Sequence, residues 1–157
     1  MRIVHIEDLE AWQCLVKALL APLGIEMVCL DRLNTGIEFL REHSADIVLL
    51  DLELPDSSLY DTIQRFFGEI DFIPVVIISA FDLQSEEVKK LQDSGYQVSA
   101  YVSKIEMNAL DLLQACKEAI ERYYTTEQCP IQVLQQLTRA KEILLHQKEQ
   151  IVEDDLF

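Results

Sequence analysis

The sequence is short of positive charge. Thirteen lysines and arginines face 28 aspartates and glutamates over 157 residues, for a formal net charge of −15. Nucleic-acid binding draws its affinity from cations that displace counterions from phosphates, and no segment here clusters them. Direct DNA binding by this chain is therefore not expected, nor is docking on an anionic membrane. A basic or amphipathic protein partner is electrostatically easier. No apolar run approaches the roughly 18 residues of a membrane-spanning helix, and the opening "MRIVHIED" turns acidic too early for a secretory signal. Cysteine is sparse: Cys14, Cys29, Cys116 and Cys129 form no CxxC pair. That argues against a structural zinc site or a disulfide framework and predicts reduced, mostly buried thiols in a cytoplasmic protein. A glycine-rich phosphate loop of either nucleotide-binding kind is also missing.

What the chain does have is ordered apolar density. Half of it is hydrophobic, enough for one ordinary packed domain. Continuous apolar, β-rich runs stand at Ile3–Ile6, Ile25–Leu30, Ile47–Leu52, Pro74–Ser79 and Val98–Val102. Helical stripes alternate with them. Trp12, Leu15, Val16, Leu19 and Leu23 mark the first, stopped by Gly24. Ile37 and Leu40 mark the second, with Asn34 or Thr35 as its cap. Ile63, Phe66, Phe67 and Ile70 form the third, Val88 and Leu91 a short fourth, and Leu110, Leu113, Cys116, Ile120 and Tyr123 the fifth. Five βα units predict an α/β fold, a five-stranded parallel sheet with helices on both faces. Strands buried on both faces read as unbroken apolar runs, as these do. Right-handed crossovers favour the doubly wound, flavodoxin-like order 2-1-3-4-5.

Such sheets gather functional groups outside the carboxyl ends of their strands. Those ends here carry Glu7 and Asp8, Asp51, Ser79, and Lys104. A carboxylate at the end of the buried run "IVLLD" needs either a partner or solvent. Three carboxylates within about 4–6 Å repel by roughly 1–4 kcal/mol per pair, and a divalent cation removes the conflict. A few oxygen-only ligands suit Mg²⁺. With Lys104 opposite and the Ser79 hydroxyl at hand, Asp51 reads as a nucleophile in a pocket built for a phosphoryl group.

The strings "IVHIED", "DIVLLDLELPD", "IPVVIISA" and "AYVSK", in that order and at those strand ends, resemble the receiver domain of bacterial two-component response regulators over about residues 1–125. The resemblance implies that Asp51 is the phosphoacceptor, served by a sensor histidine kinase or a phosphotransfer protein. It implies Mg²⁺ held by Asp8 and Asp51, by Glu7 mainly through water, and by the backbone carbonyl of Glu53. It makes Lys104 the phosphate-contacting lysine, Ser79 the switch hydroxyl and Tyr101 the aromatic switch.

The sequence also departs from the family. Ile105 replaces the usual proline after the lysine. A non-proline cis bond costs about 3–4 kcal/mol, so this turn is expected to be trans or strained. The glycine usual near the start of the third helix is missing, with Leu59 close to its place. The link from Gly95 to Tyr101 is about two residues longer than usual. Glu53 and Phe81 occupy positions that tune phosphoryl lifetime in the family, and the bulk of Phe81 is expected to slow the hydrolytic water. His5 reads as packed within the first strand; His43 and His146 lack the context of a phosphotransfer histidine.

Residues 126–157 form a C-terminal helical extension. Val133, Leu137, Ala140, Leu144, Gln147 and Ile151 follow a 4-3 spacing, and about three heptads are marginal for an independent coiled coil. Three roles stay open: packing on the receiver, homodimerisation, or a linker toward an output domain outside this chain. Two other function classes stand beside a phosphorylated receiver. One is a phosphorylation-independent pseudo-receiver adaptor, against which the intact Asp51, Asp8 and Lys104 argue. The other is a haloacid-dehalogenase-type phosphatase, which needs an aspartate where Glu53 stands.

Overall fold

The apolar runs become strands and the stripes become helices. The computed structural model describes residues 1–71, 73–80, 86–93, 98, 100–124 and 128–154, without the side chains of 87, 88, 91, 92 and 152–154. Phe81 and Gly95 therefore lie outside the described residues, as do the side chains of Val88 and Leu91. In chain order the elements are β1 (Arg2–Ile6), α1 (Glu10–Leu20), β2 (Glu26–Leu30), α2 (Leu33–Glu42), β3 (Ile47–Asp51), β4 (Glu53–Leu54), β5 (Ser57–Ser58), α3 (Leu59–Glu69), β6 (Val75–Ser79), α4 (Glu86–Asp93), β7 (Ala100–Ser103), α5 (Ala109–Tyr123) and α6 (Ile131–Asp154). A 3₁₀ turn, Ala21–Leu23, ends at Gly24, whose φ of 77° closes it as expected. The five long strands run parallel in the order β2-β1-β3-β6-β7. This is the flavodoxin-like order once the small antiparallel β4–β5 hairpin, unforeseen in the sequence, is set aside.

Each sheet face carries its own core. Ile3, Leu49, Val76 and Val102 meet α1 and α5 through Val16, Leu20, Cys116 and Ile120. Val4, Ile6, Val48, Leu50 and Ile77 meet α2 and α3 through Leu33, Ile37, Leu40, Ile63 and Phe66. Complete burial of a side chain such as Phe66 stabilises the fold by roughly 1.5–3 kcal/mol. Gly36 lets α2 lie against β1: a Cβ there would stand 2.4 Å from Ile6 Cδ1.

Several local expectations need correction. Leu15 is 42% exposed, and Leu20 fills the core position instead, because α1 rides on the sheet through the 16/20 edge of its stripe. On α5 the buried face is Leu112, Leu113, Ala115, Cys116, Ala119 and Ile120, with Leu110 and Tyr123 only half-buried. Of the four cysteines only Cys116 is buried. Neither Asn34 nor Thr35 caps α2, since both lie inside it. Its cap comes from elsewhere: Asp56, in the β4–β5 turn, accepts from the backbone N–H of Leu33 at 2.9 Å and of Asn34 at 3.0 Å. Arg65 of α3 locks this arrangement by donating to the Asp56 carbonyl and to Asn34 Oδ1.

Leu59 opens α3 with φ 47°, a left-handed conformation held by its N–H bond to the Leu52 carbonyl. The missing glycine thus leaves strain where the backbone still needs glycine's freedom. At this position Leu59→Gly is expected to be more stable than Leu59→Ala by roughly 1 kcal/mol, since both lose the side chain and only glycine relieves the φ cost. Urea midpoints of the two variants read this directly; alanine equalling glycine would mean the strain is not there.

α6 folds back along α5. Val133, Leu137 and Ala140 are buried, Leu144 is partly buried, and Lys141 Nζ donates to Gln114 Oε1 at 3.3 Å. The 4-3 stripe is therefore covered by the receiver up to Leu144. Beyond it Gln147 and Ile151 are exposed.

Candidate functional site

Parallel register brings the chemistry-bearing ends together. β3 lies between β1 and β6, with Asp51 paired to Ile78. Just past β1, the Glu7 N–H donates to the Leu30 carbonyl of β2, and past β7 the Lys104 N–H donates to the Ser79 carbonyl of β6. With the Asp51–Ile78 pairing, these bonds help fix the ends of β1, β3, β6 and β7 around one pocket. Its volume is about 220 Å³, and Asp8, Leu9, Trp12, Asp51, Glu53, Ser79, Ala80 and Lys104 line it.

Asp51 is the last residue of β3 and is buried, so it has a partner rather than solvent. Lys104 Nζ donates to Asp51 Oδ2 at 3.1 Å and to Glu7 Oε2 at 2.5 Å. All three side chains are nearly inaccessible. The other oxygen of Glu7 accepts the Leu9 N–H at 3.0 Å. Burial pushes the Glu7 carboxyl above its ordinary range against the pull of the Lys104 bond, and the neighbouring Asp51 charge adds to the rise. One ligand oxygen from each of Glu7, Asp8 and Asp51 lies within 4.8 Å of the others. Such a set of hard oxygens, with more negative charge than one ammonium balances, fits a small divalent cation.

The remaining predicted residues are placed as follows. Ser79 ends β6, buried on the pocket wall. Glu53 is exposed, and its N–H reaches Asp51 Oδ1 at 3.3 Å. Tyr101 packs against the α2/α3-side core. Its hydroxyl is buried with no hydrogen-bond partner among the described residues, and burial raises its pKa. A second cavity of about 300 Å³ opens beside it, along α5. Ile105 is 75% exposed and follows Lys104 through a trans bond. His43 stacks on Phe39 and His146 is exposed near Glu149. Sequence reasoning missed Leu9, Trp12 and Gln13. Gln13 Nε2 donates to the Glu7 carbonyl, and Lys104 Nζ lies 5.1 Å from the Trp12 ring centroid. A signal existed: Trp12, the only tryptophan, stands four residues after Asp8.

His5 is wholly buried in β1, its ring nitrogens without partners among the described residues. Burial, with the Lys104 charge adding, pushes it from 6.5 down to about 4. Between these values the unfolded chain binds the proton and the folded one does not, so stability is full above about pH 6.5 and falls as pH drops toward 4. The gap corresponds to about 3 kcal/mol. Urea unfolding at pH 7 and pH 4 should show the wild type losing about that much more than His5→Leu. Equal losses would rule out a neutral buried imidazole.

No family model matches the chain. Among curated proteins, the polar-differentiation response regulator DivK of Brucella ovis, and its counterparts in Brucella abortus and Brucella melitensis, are 30% identical to it over 107 residues, covering 65% of this chain and 82% of theirs. Solved structures share the fold at lower identity. The signal receiver domain of an HD domain-containing protein of Pseudomonas fluorescens is 19% identical with a TM-score of 0.66, over 78% of this chain and 95% of that one. A response regulator receiver domain of Clostridium thermocellum is 23% identical with a TM-score of 0.64, over 77% and 94%. The receiver domain of a sensor histidine kinase of Pseudomonas aeruginosa, solved with magnesium coordinated in its active-site cleft, is 19% identical with a TM-score of 0.63, over 74% and 93%.

Proposed function

This chain belongs to the response-regulator receivers of two-component signalling, and from that premise we propose that Asp51 accepts a phosphoryl group from a sensor histidine kinase or phosphotransfer protein. The observation that carries the reading is the cluster itself: three carboxylates gathered at the carboxyl end of the sheet, with Lys104 bonded across two of them. A carboxylate oxygen of Asp51 forms the new bond to phosphorus while the bond from phosphorus to the donor's nitrogen breaks. The electron pair leaves with the donor, and Asp51 becomes a mixed anhydride. Lys104 then has a phosphoryl oxygen in place of Asp51 Oδ2 as its acceptor, and the Ser79 hydroxyl on the pocket wall donates to another. Tyr101 follows Ser79 as the aromatic switch. Asp8 and Asp51, with Glu7 and the backbone carbonyl of Glu53, would hold Mg²⁺. When bound, Mg²⁺ supplies the positive charge that offsets the gathering phosphoryl oxygens.

On this reading the chain is a cytoplasmic switch rather than an enzyme with a separate substrate. It catalyses only its own phosphorylation and dephosphorylation, and its output is contact with other proteins. No described helix is long and apolar enough to cross a membrane. Residues 126–157 extend the receiver, and homodimerisation through them is one output available to it.

Incubation of the full chain with acetyl phosphate and Mg²⁺, followed by intact mass and size exclusion, tests the proposal. The expected result is the gain of a single phosphoryl group that EDTA prevents. No gain at any Mg²⁺ level would favour a phosphorylation-independent adaptor. Earlier elution of the phosphorylated form would indicate homodimerisation, and its loss in Ile151→Glu, at the exposed end of the stripe, would place the seam in 126–157.

A further inference from the structure

We infer that Trp12 is a positioning residue of the phosphoryl site, its indole face holding the Lys104 ammonium and its bulk forming the pocket's apolar wall. The inference rests on the proposed phosphoacceptor role of Asp51 and concerns a residue whose helical spacing alone marks it as ordinary core.

The geometry is specific. Lys104 Nζ lies 5.1 Å from the Trp12 ring centroid, inside the roughly 6 Å over which an aromatic face attracts a cation. That attraction is screened little, because the lysine side chain is only 5% exposed. Trp12 is itself tethered to the carboxylate that Lys104 touches. Glu7 Oε1 accepts the Leu9 N–H, the Leu9 carbonyl accepts the Trp12 N–H at 3.0 Å, and Gln13 Nε2 donates to the Glu7 carbonyl. One residue, Glu7, therefore fixes both the ammonium and the helix turn that carries the indole.

The consequence is chemical. On phosphorylation Lys104 exchanges one acceptor, Asp51 Oδ2, for a phosphoryl oxygen. During the exchange Glu7 is the one carboxylate that still holds this long, flexible side chain. The indole gives it a second fixed contact throughout the exchange. Trp12, Leu9 and Ala80 also form an apolar side of the pocket, which keeps the local dielectric low and strengthens the charge contacts on which phosphoryl transfer depends.

Three full-length variants separate this role from packing. Trp12→Leu keeps apolar bulk without the aromatic face, and Trp12→Phe keeps a face. With acetyl phosphate and Mg²⁺, the initial rate of phosphoryl uptake by Trp12→Leu is expected to fall roughly three- to thirtyfold, the range of a cation–π contact, while Trp12→Phe stays within about twofold of wild type. Leucine at the wild-type rate, or phenylalanine as slow as leucine, overturns the inference. The third variant, Lys104→Gln, reads the contact without any phosphoryl transfer. As Trp12 is the only tryptophan, removing the ammonium should shift its fluorescence emission. An unchanged emission overturns the contact even if Trp12→Leu fails to fold. If the wild type takes up no phosphoryl group, the acceptor assignment fails, and the emission of Lys104→Gln still decides whether indole and ammonium meet.

Discussion

Asp51→Asn is expected to take phosphoryl uptake from acetyl phosphate to nothing detectable by intact mass while leaving a folded protein. The amide keeps the side chain's size and its place at the end of β3 but has no anionic oxygen to attack phosphorus. Folding survives because Lys104 keeps Glu7, its shorter bond, at 2.5 Å. One negative charge fewer beside Glu7 and Asp8 also relieves repulsion worth about 1 kcal/mol or more per pair. The metal-free variant should therefore unfold at the same or a higher urea concentration than the wild type, and its response to added Mg²⁺ should weaken because a ligand charge is gone. Both are read from unfolding curves with EDTA and with Mg²⁺. A variant that still gains a phosphoryl group would move the acceptor elsewhere in the chain.

Lys104→Met is expected to act in the opposite direction on stability and the same direction on chemistry. Lys104 is 6% exposed and bonded to two buried carboxylates. Taking away one member of a buried ion pair leaves an uncompensated charge, which costs about 3–5 kcal/mol. Here the orphaned charges are Glu7 and Asp51, with Asp8 close by. In EDTA the variant should be destabilised by an amount of that order, and Mg²⁺ should restore more stability to it than it adds to the wild type, since the cation then stands in for the ammonium. Phosphoryl uptake should fall by roughly 10²–10³, the loss that follows removal of one donor aimed at developing charge. If Lys104→Met is as stable as wild type in EDTA, the ammonium is not what balances the cluster.

How much of this was legible in sequence follows from how each feature is encoded. β3 and β6 announced themselves as unbroken apolar runs because they are buried on both faces, while β1, β2 and β7, which admit His5, Glu26 and Tyr101, were marked by their β-rich composition. The parallel order followed from chirality and short connections. Glu7, Asp8, Asp51, Ser79 and Lys104 could be brought to one end of the sheet because strand ends are sequence-local and parallelism aligns them. Features that depend on contact between distant side chains were not legible. The α2 cap was sought beside the helix, at Asn34 or Thr35, whereas Asp56 supplies it from 23 residues away. Leu15 and Leu20 differ by less than two turns, and which of them meets the core depends on how α1 is rotated on the sheet, a choice made by packing. Trp12 satisfied a helical stripe, which hid the one sign that it borders the pocket, its place four residues after Asp8. The strain at Leu59 was foreshadowed only as a missing glycine; its φ is a property of the turn.

Lys104 reaches back 97 residues to Glu7 and 53 to Asp51. Closing loops of that length costs chain entropy that the contacts themselves must offset. Before β7 docks, β1 and β3 can already lie side by side and bring Glu7, Asp8 and Asp51 together with only water and counter-ions between them. The cluster that defines the site is thus a burden on any form in which β1 and β3 have paired and β7 has not, and the fifth strand of the sheet brings the lysine that relieves it. Ionic strength and divalent cations should matter more to the rate at which this protein folds than its final structure, with an ammonium already set against two of the carboxylates, would suggest.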